Sequence, residues 1–172
     1  MAEPPTPASA PVDRWRSRVY EAQHLVGRIF DRSAGFPVVE VAGSRVTVPV
    51  ERHFGDVAGV QRYVDGVLQL NWVTVRWPRA GLPVRVRERR GQQRAHYEWA
   101  SATIAVPVAG RWALRELVLL HEIAHHLGDP PPEPPHGPGF TGRFVELVDG
   151  VVGPEAGLLL RVTLADQGVP VG

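Results

Sequence analysis

The chain contains no cysteine, no lysine, a single methionine, and no apolar run approaching the 18 or so residues that a membrane span requires. Without cysteine there is neither a disulfide nor a thiolate metal site, so histidine and carboxylate are the only strong metal ligands available. The absence of lysine means that every basic residue is arginine, which we attribute to a GC-rich coding bias before any function. A net charge of +1 argues neither for nor against a polyanionic partner. The N-terminus lacks the charged-then-apolar layout of a secretory signal, so a cytoplasmic location is expected, with no membrane partner.

What is present is ordinary for a globular chain: 172 residues, 44% hydrophobic and 22% charged, enough for one domain with a sizeable core. Residues 1–11 form a Pro/Ala-rich tail that can bury nothing and is expected to be disordered, leaving 12–172 as the domain. From Asp13 to Asp31, Trp15, Val19, Ala22, Val26 and Phe30 recur at three- and four-residue steps, which predicts a helix. Residues 38–42 and 44–50 read as a hairpin turning at Gly43, and Asp56 is placed to cap a helix reaching Leu70. Alternation then predicts strands over 72–77, 84–88, 96–99 and 102–106, the last leading through a short loop into a helix over 111–127. That last strand is expected at a cleft rim, where an extended peptide could pair with its edge, or else as an ordinary sheet strand. Helices are expected over 140–151 and from Pro154 to Ala165, followed by a loose tail over 167–172.

The helix over 111–127 carries His121-Glu122-Ile-Ala-His125. Positions four apart on a helix lie about 40° from one another, so His121 and His125 can grip one metal ion. Glu122 lies about 100° round from His121, close enough to take the proton of an activated water without being a ligand. Apolar residues nearly all round the segment predict burial, and buried imidazoles must be satisfied by something. The competing reading is a core helix whose histidines are merely hydrogen-bonded.

A catalytic zinc site takes three protein ligands and leaves one position open. Gly128 continues the pattern toward that of metzincins, but Pro131 stands where their third histidine would be. Asp129 and Glu146 are candidates, the first equally explained as a loop acid and the second on the flank of its helix. His136 is preferred, because six prolines between 130 and 138 would hold it in one place at low entropic cost.

His121-Glu-Ile-Ala-His125 followed by His136-Gly-Pro-Gly-Phe140 resembles the arrangement in SprT-like zinc metallopeptidases, the group that includes the Spartan DNA–protein crosslink proteases. Residues from about 19 to 169 resemble more closely an actinobacterial metallohydrolase family, notably at Val60-Gln-Arg-Tyr-Val-Asp65, Ala95-His-Tyr-Glu98, 111–118 and His136 to Phe140. The resemblance implies an α+β, zincin-like domain in which a small mixed or antiparallel sheet packs on a buried metal-binding helix, with further helices on either side in sequence. It also implies Zn2+ on His121, His125 and His136, with Glu122 as general base. It implies no substrate. The chain departs from SprT at His126, a second histidine after the ligand, and lacks that group's zinc-ribbon cysteines, which removes this route to DNA.

The expected activity is therefore zinc-dependent hydrolysis of an amide-like bond, with a peptide or protein as substrate. His96 and Tyr97 are candidates to stabilise the oxyanion, although a packed tyrosine and a surface histidine are the favoured reading. His126 is either a support for Glu122 or, preferably, a partly exposed histidine favoured by the helix dipole. Seven arginines between 76 and 94, with Trp77 among them and Trp99 beyond, could face nucleic acid; the Val84-Arg-Val-Arg alternation favours a solvated sheet face. Two rival classes stand beside the hydrolase. One is a binding module in which metal only pins the Pro-rich loop, and the other a di-iron carboxylate protein pairing Glu122-x-x-His125 with Glu21-x-x-His24.

Overall fold

The computed structural model describes residues 12–91, 94–129 and 133–172. The tail 1–11 and three prolines of the expected stiff loop, 130–132, lie outside them. The first helix, α1 (Arg16–Ser33), buries Val19, Ala22, Val26 and Phe30, the spacing read from sequence. β1 (Val38–Val41) and β2 (Ser44–Thr47) pair antiparallel through a turn at Ala42 and Gly43, both at positive φ, 48° and 79°. Gly43 enters that region without steric cost, which is why the hairpin turns there. Asp56 caps α2 (Val57–Leu68), its carboxylate accepting from the Gly59 N–H at 2.7 Å.

Residues 72–77 depart from expectation: α3 (Asn71–Arg76) stands where alternation predicts a strand. The reason is tertiary. Trp72 packs over Gly150 so closely that an added Cβ there would lie 2.6 Å from its ring, and Arg76 pairs with Glu146 at 2.9 Å. Residues four apart on α3 thus meet residues four apart on α5 (Pro138–Val151), a match that only a helix can make. Pro78 then ends α3 in a turn of 3-10 helix.

β3 (Arg85–Arg89), β4 (His96–Glu98) and β5 (Thr103–Pro107) form a mixed sheet in the order β3-β5-β4. β5 runs parallel to β3 and antiparallel to β4. The expected rim strand is therefore the central one, with all five residues buried, and β4 is the edge that lies against the next helix. Val84 and Val86 are buried while Arg85 is exposed, as alternation predicts. Arg76, Arg79, Arg87 and Arg89 are all engaged within the chain, to Glu146, the His126 carbonyl, Glu98 and His96. That favours the solvated sheet face.

The central helix, α4 (Glu116–His126), is shorter than expected. Residues 111–115 instead run alongside 52–54, with Phe54 N–H donating to the Leu114 carbonyl and Glu116 N–H to that of Arg52. Both ends of α4 are held by charge. At its start the buried Glu51 carboxylate accepts from the Leu117 N–H at 2.9 Å and from the Arg115 guanidinium, while Glu116 accepts from Tyr63 Oη at 2.8 Å. At its end Arg143 and Arg79 donate to the carbonyls of Ala124 and His126, at 3.1 and 2.7 Å. These groups satisfy the donors and acceptors that a helix terminus leaves open, with charges of the sign that the helix dipole favours.

α5 and α6 (Pro154–Asp166) complete a single core around α4. Residues 167–172 are packed rather than loose: Val169 is buried and the Pro170 carbonyl accepts from Thr141 Oγ1 at 2.7 Å. The architecture is α+β, and among the described residues no helix is long and apolar enough to cross a membrane.

Replacing a buried partner strands the charge it held, whereas an exposed pair is screened. Glu51→Ala is expected to cost roughly 3–5 kcal/mol in urea denaturation. Arg76→Ala, which breaks an exposed pair, is expected to leave the midpoint unchanged.

Candidate metal centre

His121 and His125 lie one turn apart on α4, and Gly137-Pro138 starts α5 at once after His136. Proline at the first helical position fixes the turn, so His136 is delivered as the chain enters α5. The three rings converge: His121 Nε2 lies 3.2 Å from His125 Nε2 and 3.3 Å from His136 Nε2. Zn–N bonds of about 2.0–2.1 Å in a tetrahedral site set neighbouring nitrogens roughly 3.3 Å apart. The donor set therefore fits a zinc ion. Three imidazole nitrogens turned on one another inside a protein repel unless a cation or a shared proton lies between them.

The surroundings are apolar. Phe140 stacks on His125 with centroids 4.3 Å apart, Phe144 meets His121 edge-on at 5.3 Å, and Tyr20 stacks on His121 at 5.0 Å. Burial pushes the pKa of all three histidines down, furthest for His121 and His125, whose neighbouring imidazoles add to the effect. For His136 the Asp13 carboxylate opposes that shift, its Oδ2 lying 2.7 Å from Nδ1. The rings are thus neutral at neutral pH, the state a metal needs. The Asp13 contact also orients His136 with Nε2 inward, an arrangement common behind metal-bound histidines.

Glu122 is buried beside the three rings. Burial pushes its carboxyl up to about 8, opposed by the Tyr97 backbone N–H, which donates to it from β4. Tyr97 therefore turns its N–H toward α4, which places the outer edge of β4 against Glu122. A cavity of about 30 Å³ lies against His125, lined also by Trp99, Glu133, Pro134 and Arg143. It has room for about one water.

Among the described residues the convergent group contains only these three histidines. Glu146 is bound to Arg76 at the surface and Asp129 is exposed, so neither joins it. Glu21 and His24 are exposed on α1, away from the centre, and the second half of a di-iron site is not assembled. A second cluster, Asp31, Glu51 and His53, already holds the Arg115 guanidinium on its two carboxylates.

His126 corrects its expected place. It is fully buried, with Nε2 3.0 Å from the Arg79 carbonyl and Nδ1 2.9 Å from Tyr97 Oη. A carbonyl only accepts, so Nε2 carries the proton and Tyr97 donates to Nδ1. The pair ties β4 to α4. That occupies the Tyr97 hydroxyl, while His96 sits between Arg89 and Glu98, so neither is free for the reaction. Asp13 and Tyr20 escaped the sequence reading. Tyr20 lies among the buried positions of α1 and looks like core, and Asp13 stands 123 residues from the ring it orients.

No protein-family model matches the chain, and no curated protein or solved structure matches it.

Burial pushes His126 down to about 4. A depressed folded pKa gives stability that is present above the unfolded value, about 6.5, and lost as pH falls through 4. The metal-free protein is expected to weaken over that range. His126→Asn should make the acid slope in urea denaturation shallower by up to ~1.4 kcal/mol per pH unit.

Proposed function

We propose that the protein is a zinc-dependent metallohydrolase of zincin-like fold, acting on amide bonds of peptides or proteins, with zinc on His121, His125 and His136. The observation that carries this reading is the spacing of the three Nε2 atoms, 3.2 and 3.3 Å, beside a buried carboxyl that is not itself a ligand. A zinc ion held there would supply the Lewis acidity that polarises a carbonyl and brings a water's pKa toward neutrality.

The chain's own groups supply the rest. Glu122 takes a proton from the attacking water on its carboxylate and delivers it to the departing amine nitrogen. Its neutral form is favoured by burial; a nearby dication would favour the carboxylate that a base requires. Burial, and after it the Glu122 charge, push Tyr20 up to about 12, so its hydroxyl stays protonated and can donate to a developing oxyanion. Peptide is the favoured substrate class because β4, an edge strand among the described residues, runs beside Glu122 and would guide an extended chain past it. The centre is closed in this conformation, and Arg94, whose guanidinium lies 4.1 Å over the Tyr20 ring, must yield with the ring for substrate to enter from that side. The absence of a fourth ligand among the described residues favours this reading over a closed structural zinc site.

The purified protein is expected to hold about one zinc per chain by elemental analysis, and His136→Ala to lose most of it. Glu122→Gln should retain zinc and lose 10²-fold or more in turnover of an unfolded-protein substrate. Tyr20→Phe should keep both zinc and KM while kcat falls about 10²-fold. Metal-free protein after gentle preparation, with no uptake on adding zinc, would sink the proposal.

A further inference from the structure

Two buried polar atoms on facing helices lack partners. His121 Nδ1, on α4, must carry a proton if Nε2 faces a metal, and no acceptor meets it. Gln23 Oε1, on α1, is an acceptor that no donor meets, although the residue is only 7% exposed. An orphaned buried group is unfavourable, so one of each kind at the same place would relieve both.

The packing of the helices puts them at one level. Tyr20 stacks on His121, and Gln23 lines one cavity with Leu117 and Val118, so α1 and α4 run antiparallel, with residue numbers at equal height summing to about 141. Gln23 thereby falls opposite residues 118–119. A helical side chain leans toward the N-terminus of its own helix, so the His121 ring covers the turn it shares with those residues. The cavity that Gln23 lines with Leu117 and Val118 is a surface one of about 240 Å³. Its oxygen is sealed from that cavity, which argues against a ligand there and for a partner on the inner side.

The geometry points to Gln23 as the positioning residue of His121: its side-chain oxygen accepts from Nδ1–H and fixes the tautomer that presents Nε2 to the metal. It does for His121 what Asp13 does for His136. This rests on the zinc reading above, since only a metal-facing Nε2 obliges Nδ1 to donate.

The test compares zinc affinity by chelator competition in wild type, Gln23→Leu and Gln23→Glu, each checked for folding by circular dichroism. Removing such an orienting group weakens metal binding by 10–100-fold, so Gln23→Leu should fall by about tenfold or more, while Gln23→Glu, which keeps an acceptor, should hold the wild-type value. In zinc-loaded wild type, the His121 Nδ1–H should exchange slowly and give a nuclear Overhauser contact to the Gln23 side chain. Folded Gln23→Leu with wild-type affinity overturns the assignment and leaves the zinc centre standing. If that variant does not fold, a missing Overhauser contact in wild type overturns it instead. Wild type that takes up no zinc overturns the centre and this inference together.

Discussion

The structure depends on one constraint: three imidazole nitrogens are turned on a common point inside an apolar cage. Three neutral rings in that arrangement cannot all satisfy their inward lone pairs at once without a cation or a shared proton, and the phenyl rings on two sides offer no acceptor or donor of their own. The scaffold has to hold them there against that tendency, and the surroundings of α4 are built accordingly. Glu51 and Glu116 fix where the helix starts, Arg79 and Arg143 fix where it ends, and the Tyr97–His126 bond sets its distance from the edge strand. A helix restrained in this way can hold His121 and His125 in position at the entropic cost of few side-chain torsions.

The same burial sets the electrostatics. It keeps the histidines unprotonated and the Glu122 carboxyl neutral, so the centre as a whole carries little charge without a cation. Under the proposed reading, a dication would reverse the balance for Glu122 while leaving the rings neutral, and base strength would arise only with metal bound. Under the same reading, the Tyr20 ring and the Arg94 guanidinium over it cover His121 and would place a protonated hydroxyl near the reacting groups. Ionic contacts recur at the ends of elements rather than in the apolar middle of the core, and the packed segment after α6 closes over the start of α5 by main-chain bonds.

Where local pattern and tertiary packing agree, the elements are where periodicity puts them: α1, the hairpin, α2, the three sheet strands and the last two helices all lie within a few residues of expectation. Where they disagree, packing prevails. Residues 72–77 alternate like a strand, but Gly150 provides a notch that a tryptophan fits only from a helix. The run 111–115 has helical apolar spacing, yet its backbone pairs with 52–54 because α4 needs a charged anchor at its start. β5 has the hydrophobic character of any strand, and its central place in the sheet follows from partners on both sides that no local window contains. His126 looked like a surface histidine because its neighbours in sequence are a helix end and a glycine; its actual neighbours, Tyr97 and Arg79, come from 29 and 47 residues away.

The sequence by itself determined the chemistry on offer. The i, i+4 spacing of two histidines is a property of any helix, the missing cysteines limit the ligands, and the proline-rich approach singles out His136 among the candidates. Only the tertiary structure decided that His136 meets His121 and His125 and what stands behind the three rings. Tyr20 belongs to α1 and Asp13 to the segment just before it, both about a hundred residues upstream, and the edge that faces Glu122 is β4 rather than β5. The reason is physical: a ligand's spacing is local geometry along one helix, whereas its orientation, charge state and access are set by side chains that meet it only when distant segments pack.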